Sequence, residues 1–237
     1  MRLLKSLAHA VGRAYCRRLC KSEYDSQDFR RLNTGCIEYH FLLQWLLQIA
    51  PTTVLDVGTG NSALPHLLRE CGFVVTATDN IRDYWPHGMF NRHYHVLNDD
   101  IRRTTLVGPY DFITCTCVLE HIREHEAAIS SMCGLLKPGG HLAMTFPYNE
   151  KQYVENAYDL PGATYGKDAP YVCQVYSRKE VDRWQANLPL EIVDQQYWQV
   201  FTGPLWALGE RIRPYRPAAS DTLHHLTCLL LRKQGGV

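Results

Sequence analysis

Two acids and two glycines hold the densest chemistry in this chain. The stretch "TTVLDVGTGNSALP", Thr52 to Pro65, runs from an apolar segment through Asp56 into Gly58, Thr59 and Gly60. A second apolar run, "FVVTATD", closes on Asp79 about twenty residues after Gly60. Glycine lets the chain turn tightly and lets a ligand lie against the main chain. The start of the helix that follows offers unpaired N–H groups to an anion. A carboxylate closing the second strand can accept hydrogen bonds from both hydroxyls of a ribose. Together these features point to a ligand of adenosine type.

Asp56 narrows the choice. A dinucleotide pyrophosphate is best met by GxGxxG with no acid pressed against it, yet the loop reads Gly58-Thr59-Gly60-Asn61-Ser62-Ala63 with Asp56 just ahead. A carboxylate there repels a pyrophosphate and suits a cationic amino group. S-adenosyl-L-methionine carries an ammonium and a sulfonium, and its carboxylate can use the helix end. Asp99 or Asp100, after the third strand, is placed to bind the adenine amino group; the same pair also reads as the N-cap of the next helix.

Those residues need a scaffold that brings strand ends together. Residues 36–48 read as an amphipathic helix and 53–57 as a buried strand. A helix over Ser62–Cys71 follows, capped by Gly72. "FVVTATD", a weak "HYHV", "YDFITCTC" and "HLAMTF" are the further strands, with helix "EHEAAISSMCGLL" before the turn "KPGG". Strands alternating with helices, several apolar on both faces, imply a parallel sheet covered on each side. Beyond Pro147 the alternation stops. Residues 148–176 are rich in Tyr, Asn, Gly and Pro, and are expected to form a lid. A helix "SRKEVDRWQANL", a strand "LEIVDQQYWQVF", a loop with Pro204, Pro214 and Pro217, and a last strand "TLHHLTCLLLRK" complete the chain.

Composition bounds the function classes. The 237 residues are 46% hydrophobic with a net charge of +1, so a full core is expected and a dedicated nucleic-acid binder is not. Nine cysteines without a CxxC pair suggest reduced, mostly buried thiols in a cytoplasmic protein and no metal site. No stretch approaches the ~20 apolar residues of a transmembrane helix. The N-terminal stretch carries Arg2, Lys5, Arg13, Arg17, Arg18 and Lys21 before its first acid, Glu23. Leu3, Leu4, Leu7, Val11, Ala14 and Tyr15 fall at helical steps along it. It reads as a helix capping the domain, as a helix on an anionic membrane surface, or as a mitochondrial presequence.

"VLDVGTGNS", "TATD", "LNDDI", "YDFITCTCVLEHI" and "LLKPGGHLAMTFPY" stand in the order and spacing of a class I S-adenosylmethionine-dependent methyltransferase, and most resemble its type-11 domain. The resemblance covers about residues 36–149. It implies a Rossmann-like, doubly wound, seven-stranded, mostly parallel sheet with an antiparallel last strand. It divides the chain into an N-terminal helical extension, 1–35, and a methyltransferase domain, 36–237. It also implies that Asp56, Gly58, Thr59 and Gly60 line the methionine part of the cofactor. Asp79 with Asn80 would hold the ribose, and Asp99 or Asp100 the adenine. Cys117 and Val118 would border the cofactor; Glu38 and Tyr39 of the preceding helix would reach it, or that helix serves only to dock on the sheet. Ser62 departs from the pattern, since many members carry a third glycine there.

The reaction implied is an in-line displacement, in which alignment and exclusion of water matter most. A hydroxyl acceptor can call for a base; His121, after the fourth strand, reads as that base or as a hydrogen-bonding group that orients the acceptor, with Glu120 and His125 as weaker candidates. Tyr148 and Asn149, past the fifth strand, are expected to face the acceptor, Tyr148 also as a catalytic candidate, or else to make a turn, with His125 as a further contact. The place of the Asn/Asp-Pro-Pro-Tyr/Phe signature of nucleic-acid amine methylation reads Cys117-Val118-Leu119-Glu120, so that chemistry is not expected. The reading is O-methylation of a small-molecule or glycan acceptor. C- or N-methylation of a quinone-like, lipid or protein acceptor, a non-catalytic binding module and a nicotinamide-dependent oxidoreductase stay open.

Overall fold

Short apolar runs closed by glycine or an acid become the central strands. The computed structural model describes residues 2–28, 33–85 and 88–235. Strand β1 (Thr53–Val57) pairs in parallel with β2 (Val74–Asp79) on one side and with β4 (Tyr110–Thr116) on the other. Strand β3 (Leu97–Asn98) extends β2, and β5 (Leu136–Pro147) extends β4, again in parallel. Val54, Leu55, Phe112, Ile113 and Cys115 are fully buried, so the middle of the sheet is covered on both faces. The chain leaves β1 toward β2 and β3 and returns on the other side at β4. That reversal opens a crevice beyond the carboxyl ends of β1 and β4.

The remaining strands run antiparallel. The order across the sheet is β3-β2-β1-β4-β5-β8-β6-β7, with β8 (Leu226–Lys233) inserted between β5 and β6 (Leu190–Phe201). The sheet has eight strands, not the expected seven. The extra one, β7 (Arg211–Ala218), lies where Pro214 and Pro217 suggested a loop. It is an edge strand paired with β6 alone, and an edge tolerates residues that cannot donate to the ladder. The weak strand expected at His93–Val96 is displaced to Leu97–Asn98. Asn91 Oδ1 accepts the backbone N–H groups of His93 and Tyr94, which turns that segment away from the ladder.

Helices pack where the apolar spacing placed them. Helix α2 is Gly35–Ile49, α3 is Leu64–Glu70, α4 is His125–Leu135 and α5 is Arg178–Asn187. Pro65 stands in the first turn of α3, where its missing N–H costs nothing, and Gly72 follows the helix at φ +99°. Residues 148–176 hold one 3₁₀ turn, Ala157–Asp159, and short bridges such as Val154 to Val175. Their Tyr176 joins Phe146, Tyr148 and Trp184 in the core. The chain divides into two compact units, Met1–Ile37 and Glu38–Val237. In the first, helix α1 (Arg2–Asp25) buries none of its residues.

Candidate functional site

The glycine loop leaves the sheet at Val57. Gly58 and Gly60 have φ of +75° and +53°, and a Cβ on Gly58 would overlap the Val118 side chain. Glycine is therefore needed at 58 for conformation and for space. The N–H groups of Gly58 and Thr59 donate to Thr78 O at 2.8 and 3.1 Å, which ties the loop to β2. Asn91 Nδ2 donates to Gly60 O at 2.8 Å and to Ser62 O at 2.9 Å. Ser62 Oγ accepts the Leu64 N–H at the start of α3 and lies 3.0 Å from Tyr39 Oη. The missing third glycine thus provides a hydroxyl that joins α2, the loop and α3.

Asp79 closes β2 beside this loop. Its Oδ2 accepts the Gly60 N–H at 2.8 Å and its Oδ1 the Trp85 indole N–H at 2.9 Å. Burial pushes its pKa up, against the hydrogen bonds from Trp85, Gly60 and the Asn80 backbone. Asp99 and Asp100 take different roles. Asp100 caps the 3₁₀ turn Ile101–Arg103 and holds Arg102 through both oxygens, which keeps its carboxyl below the usual range. Asp99 Oδ1 accepts the N–H and hydroxyl of Thr105, and its buried Oδ2 has no hydrogen-bond partner among the described residues. An orphaned carboxylate oxygen is costly unless a donor reaches it. An adenine amino group is such a donor, so this edge fits an adenosyl group.

A cleft of about 770 Å³ takes in Gly58, Gly60, Asp79, Asn80, Asp99, Asp100, Cys117, Val118 and His121. Its size suits a small-molecule site. Asn156 and residues 169–172, from the segment after β5, form part of its wall. Tyr171 stacks on Tyr84, centroids 5.7 Å apart, and meets the His121 ring edge-on at 4.5 Å. His121 Nδ1 lies 2.7 Å from Val172 O. A carbonyl oxygen only accepts, so Nδ1 carries the hydrogen and Nε2 keeps its lone pair. Burial lowers the pKa of this imidazole. Glu120 Oε1 lies 3.9 Å from Nε2, and burial pushes the Glu120 carboxyl up to about 8.

Several expected contacts lie elsewhere. Asp56 is 2% exposed and does not line the cleft. It pairs in register with Thr114 of β4, whose hydroxyl donates to Oδ1 at 2.6 Å, while Thr59 donates to Oδ2 at 2.7 Å. Both oxygens serve the turn, and burial raises the pKa to about 6. Thr59 and Glu38 stand behind the wall; Glu38 Oε1 accepts the Cys117 thiol at 3.0 Å. Tyr148 is fully buried, donates to Glu150 Oε2 at 2.8 Å and stacks on His224. Asn149 Oδ1 accepts the N–H groups of Lys151 and Gln152 and makes a turn. His125 packs against Tyr176 and Trp184 on α4. None of these three lines the cleft. Trp85, Asn91 and Arg102 do hold the site and were not singled out, because the segment from 80 to 103 has no regular apolar period.

A methyltransferase-domain family model matches residues 24–195. The chain belongs to that methyltransferase family. Its relatives include the ubiquinone biosynthesis O-methyltransferase of Coxiella burnetii, 28% identical over 159 residues. That match covers 60% of this chain and 64% of the relative, so the chain spans less than two thirds of the relative's length. Among solved structures, the 1,6-didemethyltoxoflavin-N1-methyltransferase of Burkholderia thailandensis, with 1,6-didemethyltoxoflavin and S-adenosylhomocysteine bound, is similar at a TM-score of 0.59 and 14% identity. It covers 96% of this chain and 90% of its own. An S-adenosylmethionine-dependent methyltransferase from Clostridium acetobutylicum is similar at a TM-score of 0.53 and 13% identity, covering 93% of this chain and 100% of its own. At those identities the likeness bears on the fold.

Proposed function

We propose that this methyltransferase uses S-adenosylmethionine to methylate a hydroxyl oxygen on a small molecule, sugars included. His121 carries the reading. It is a neutral imidazole on the cleft wall, with one nitrogen tied to Val172 O and a lone pair left on the other. That is the form a general base needs. The name of the Coxiella relative, an O-methyltransferase, supports oxygen as the acceptor atom.

S-adenosylmethionine supplies an electrophilic methyl group when bound. Asp79 is the residue to accept the ribose hydroxyls, beside Asn80, and Trp85 would release its hold on Oδ1 in exchange. Asp99 Oδ2 is the acceptor for the adenine amino group. Gly58 and Gly60 give main-chain access to the amino-acid part, and Cys117 and Val118 form the wall behind it. The Cys117 thiol is held well above its usual range by burial and stays protonated, so it packs rather than reacts. His121 Nε2 takes the proton of the acceptor hydroxyl. Asn156, Pro170 and Tyr171 confine the acceptor and exclude water, which strengthens each polar contact within.

The test is release of S-adenosylhomocysteine across panels of phenols, sugars and amines, with wild type and His121→Ala. Turnover of a hydroxyl acceptor that collapses in the variant is expected. Turnover confined to amines, or a variant as fast as wild type, would overturn the reading.

A further inference from the structure

Helix α1 sorts its side chains onto two faces over its first four turns. At about 100° per residue, Leu3, Leu4, Leu7, Ala8, Ala10, Val11, Ala14 and Tyr15 fall on one half of the cylinder. Arg2, Lys5, Ser6, His9, Arg13 and Arg17 fall on the other. The apolar half lies open: Leu3 is 88% exposed, Leu7 63% and Val11 62%. No acid precedes Glu23, although the whole chain has a net charge of only +1. The positive charge is thus concentrated beside the exposed apolar stripe. Arg18 interrupts the stripe three residues past Tyr15 and marks its end.

We propose that α1 lies in the headgroup region of an anionic phospholipid bilayer. The apolar half would enter the acyl boundary, and the cations would meet phosphate and carboxylate headgroups. Among the described residues no helix is long and apolar enough to cross a membrane, so this one lies on the surface. Charge decides between occupants. A second copy of α1 would bring the same cations, Arg13 and Arg17 included, against the first. A nucleic acid would satisfy the cations and leave the leucines in water. Of these three occupants, the anionic lipid surface is the one that uses both halves.

The full chain is floated with phosphatidylcholine vesicles, with and without phosphatidylglycerol, at low and high salt. It should partition onto the anionic vesicles, much less onto neutral ones, and less again in high salt. Leu7→Glu with Val11→Glu, and separately Arg13→Glu with Arg17→Glu, should each lower the partition about tenfold or more. S-adenosylhomocysteine affinity serves as the control that the rest of the chain is folded. Absence of binding to anionic vesicles, equal binding to neutral ones, or partition unchanged in either variant would overturn the proposal. So would self-association through the stripe, seen as a concentration-dependent dimer that Leu7→Glu abolishes while vesicle binding is absent.

Discussion

Trp85 and Asp79 are joined by the indole N–H, donated at 2.9 Å to the carboxylate oxygen that the Gly60 N–H does not use. The two donors thus use different oxygens of the carboxylate, and the indole belongs to a side chain outside the strand. Asp79→Ala should weaken S-adenosylhomocysteine binding about tenfold to a hundredfold, the range for losing hydrogen bonds to a charged group. Isothermal titration measures it, with a melting curve as the folding control. An unchanged dissociation constant would remove Asp79 from the site.

Trp85 makes a separate prediction. If its indole competes with the ligand for Asp79, Trp85→Phe removes the competitor but keeps an aromatic ring over Gly60. Affinity for S-adenosylhomocysteine should then stay level or rise a few-fold. A loss of tenfold or more would show that the indole holds the ligand instead.

The two halves of this site were not equally legible in the sequence. The glycine pair and Asp79 could be read because residue type and spacing alone encode them. Asp56 could not, because its direction depends on Thr114, 58 positions away, meeting it across β1 and β4. Asp99 and Asp100 look alike in sequence. Arg102 claims one and Thr105 half of the other. Tyr148 was expected at the cleft from its place after β5, but Glu150 and His224 draw it to the far side. The positions of the central strands follow from apolar runs, whereas β7 was hidden by prolines that an edge position excuses.

His121 sets the pH dependence of the proposed reaction. Burial lowers its pKa, so the neutral base is present above that value and lost below it. The rate with a hydroxyl acceptor should be level near neutral pH and fall in acid, with an apparent pKa below the ordinary 6.5 of histidine. His121→Ala should lower kcat by about a hundredfold to ten-thousandfold and remove that acid limb. A variant that keeps the limb would assign it to another group.

Glu120 makes stability depend on pH with a defined sign. Its carboxyl is pushed up to about 8 by burial, from 4.5 when exposed. Between those values the folded chain holds a proton that the unfolded chain has released, so stability declines as pH rises through the window. Glu120→Gln mimics the protonated acid. It should match wild type near pH 4.5 and exceed it by a few kcal/mol by pH 8. Urea midpoints at a series of pH values measure the gap. A gap that stays constant across the window would mean that Glu120 does not titrate there.

Gly58 and Val118 are coupled through space. At Gly58 the backbone has φ +75°, and a methyl group would meet the Val118 side chain. Gly58→Ala therefore carries two penalties, one for conformation and one for overlap, together about 2–4 kcal/mol. Val118→Ala creates room and should recover the overlap part while leaving the conformational part. The double variant should be more stable than the sum of the single changes predicts, by about 1 kcal/mol or more, a coupling that chemical denaturation resolves. Additive losses would mean that the loop shifts away from Val118 instead. Ligand affinity discriminates further: relief of the overlap returns the loop to its place between β1 and α3, so the double variant should bind S-adenosylhomocysteine better than Gly58→Ala alone.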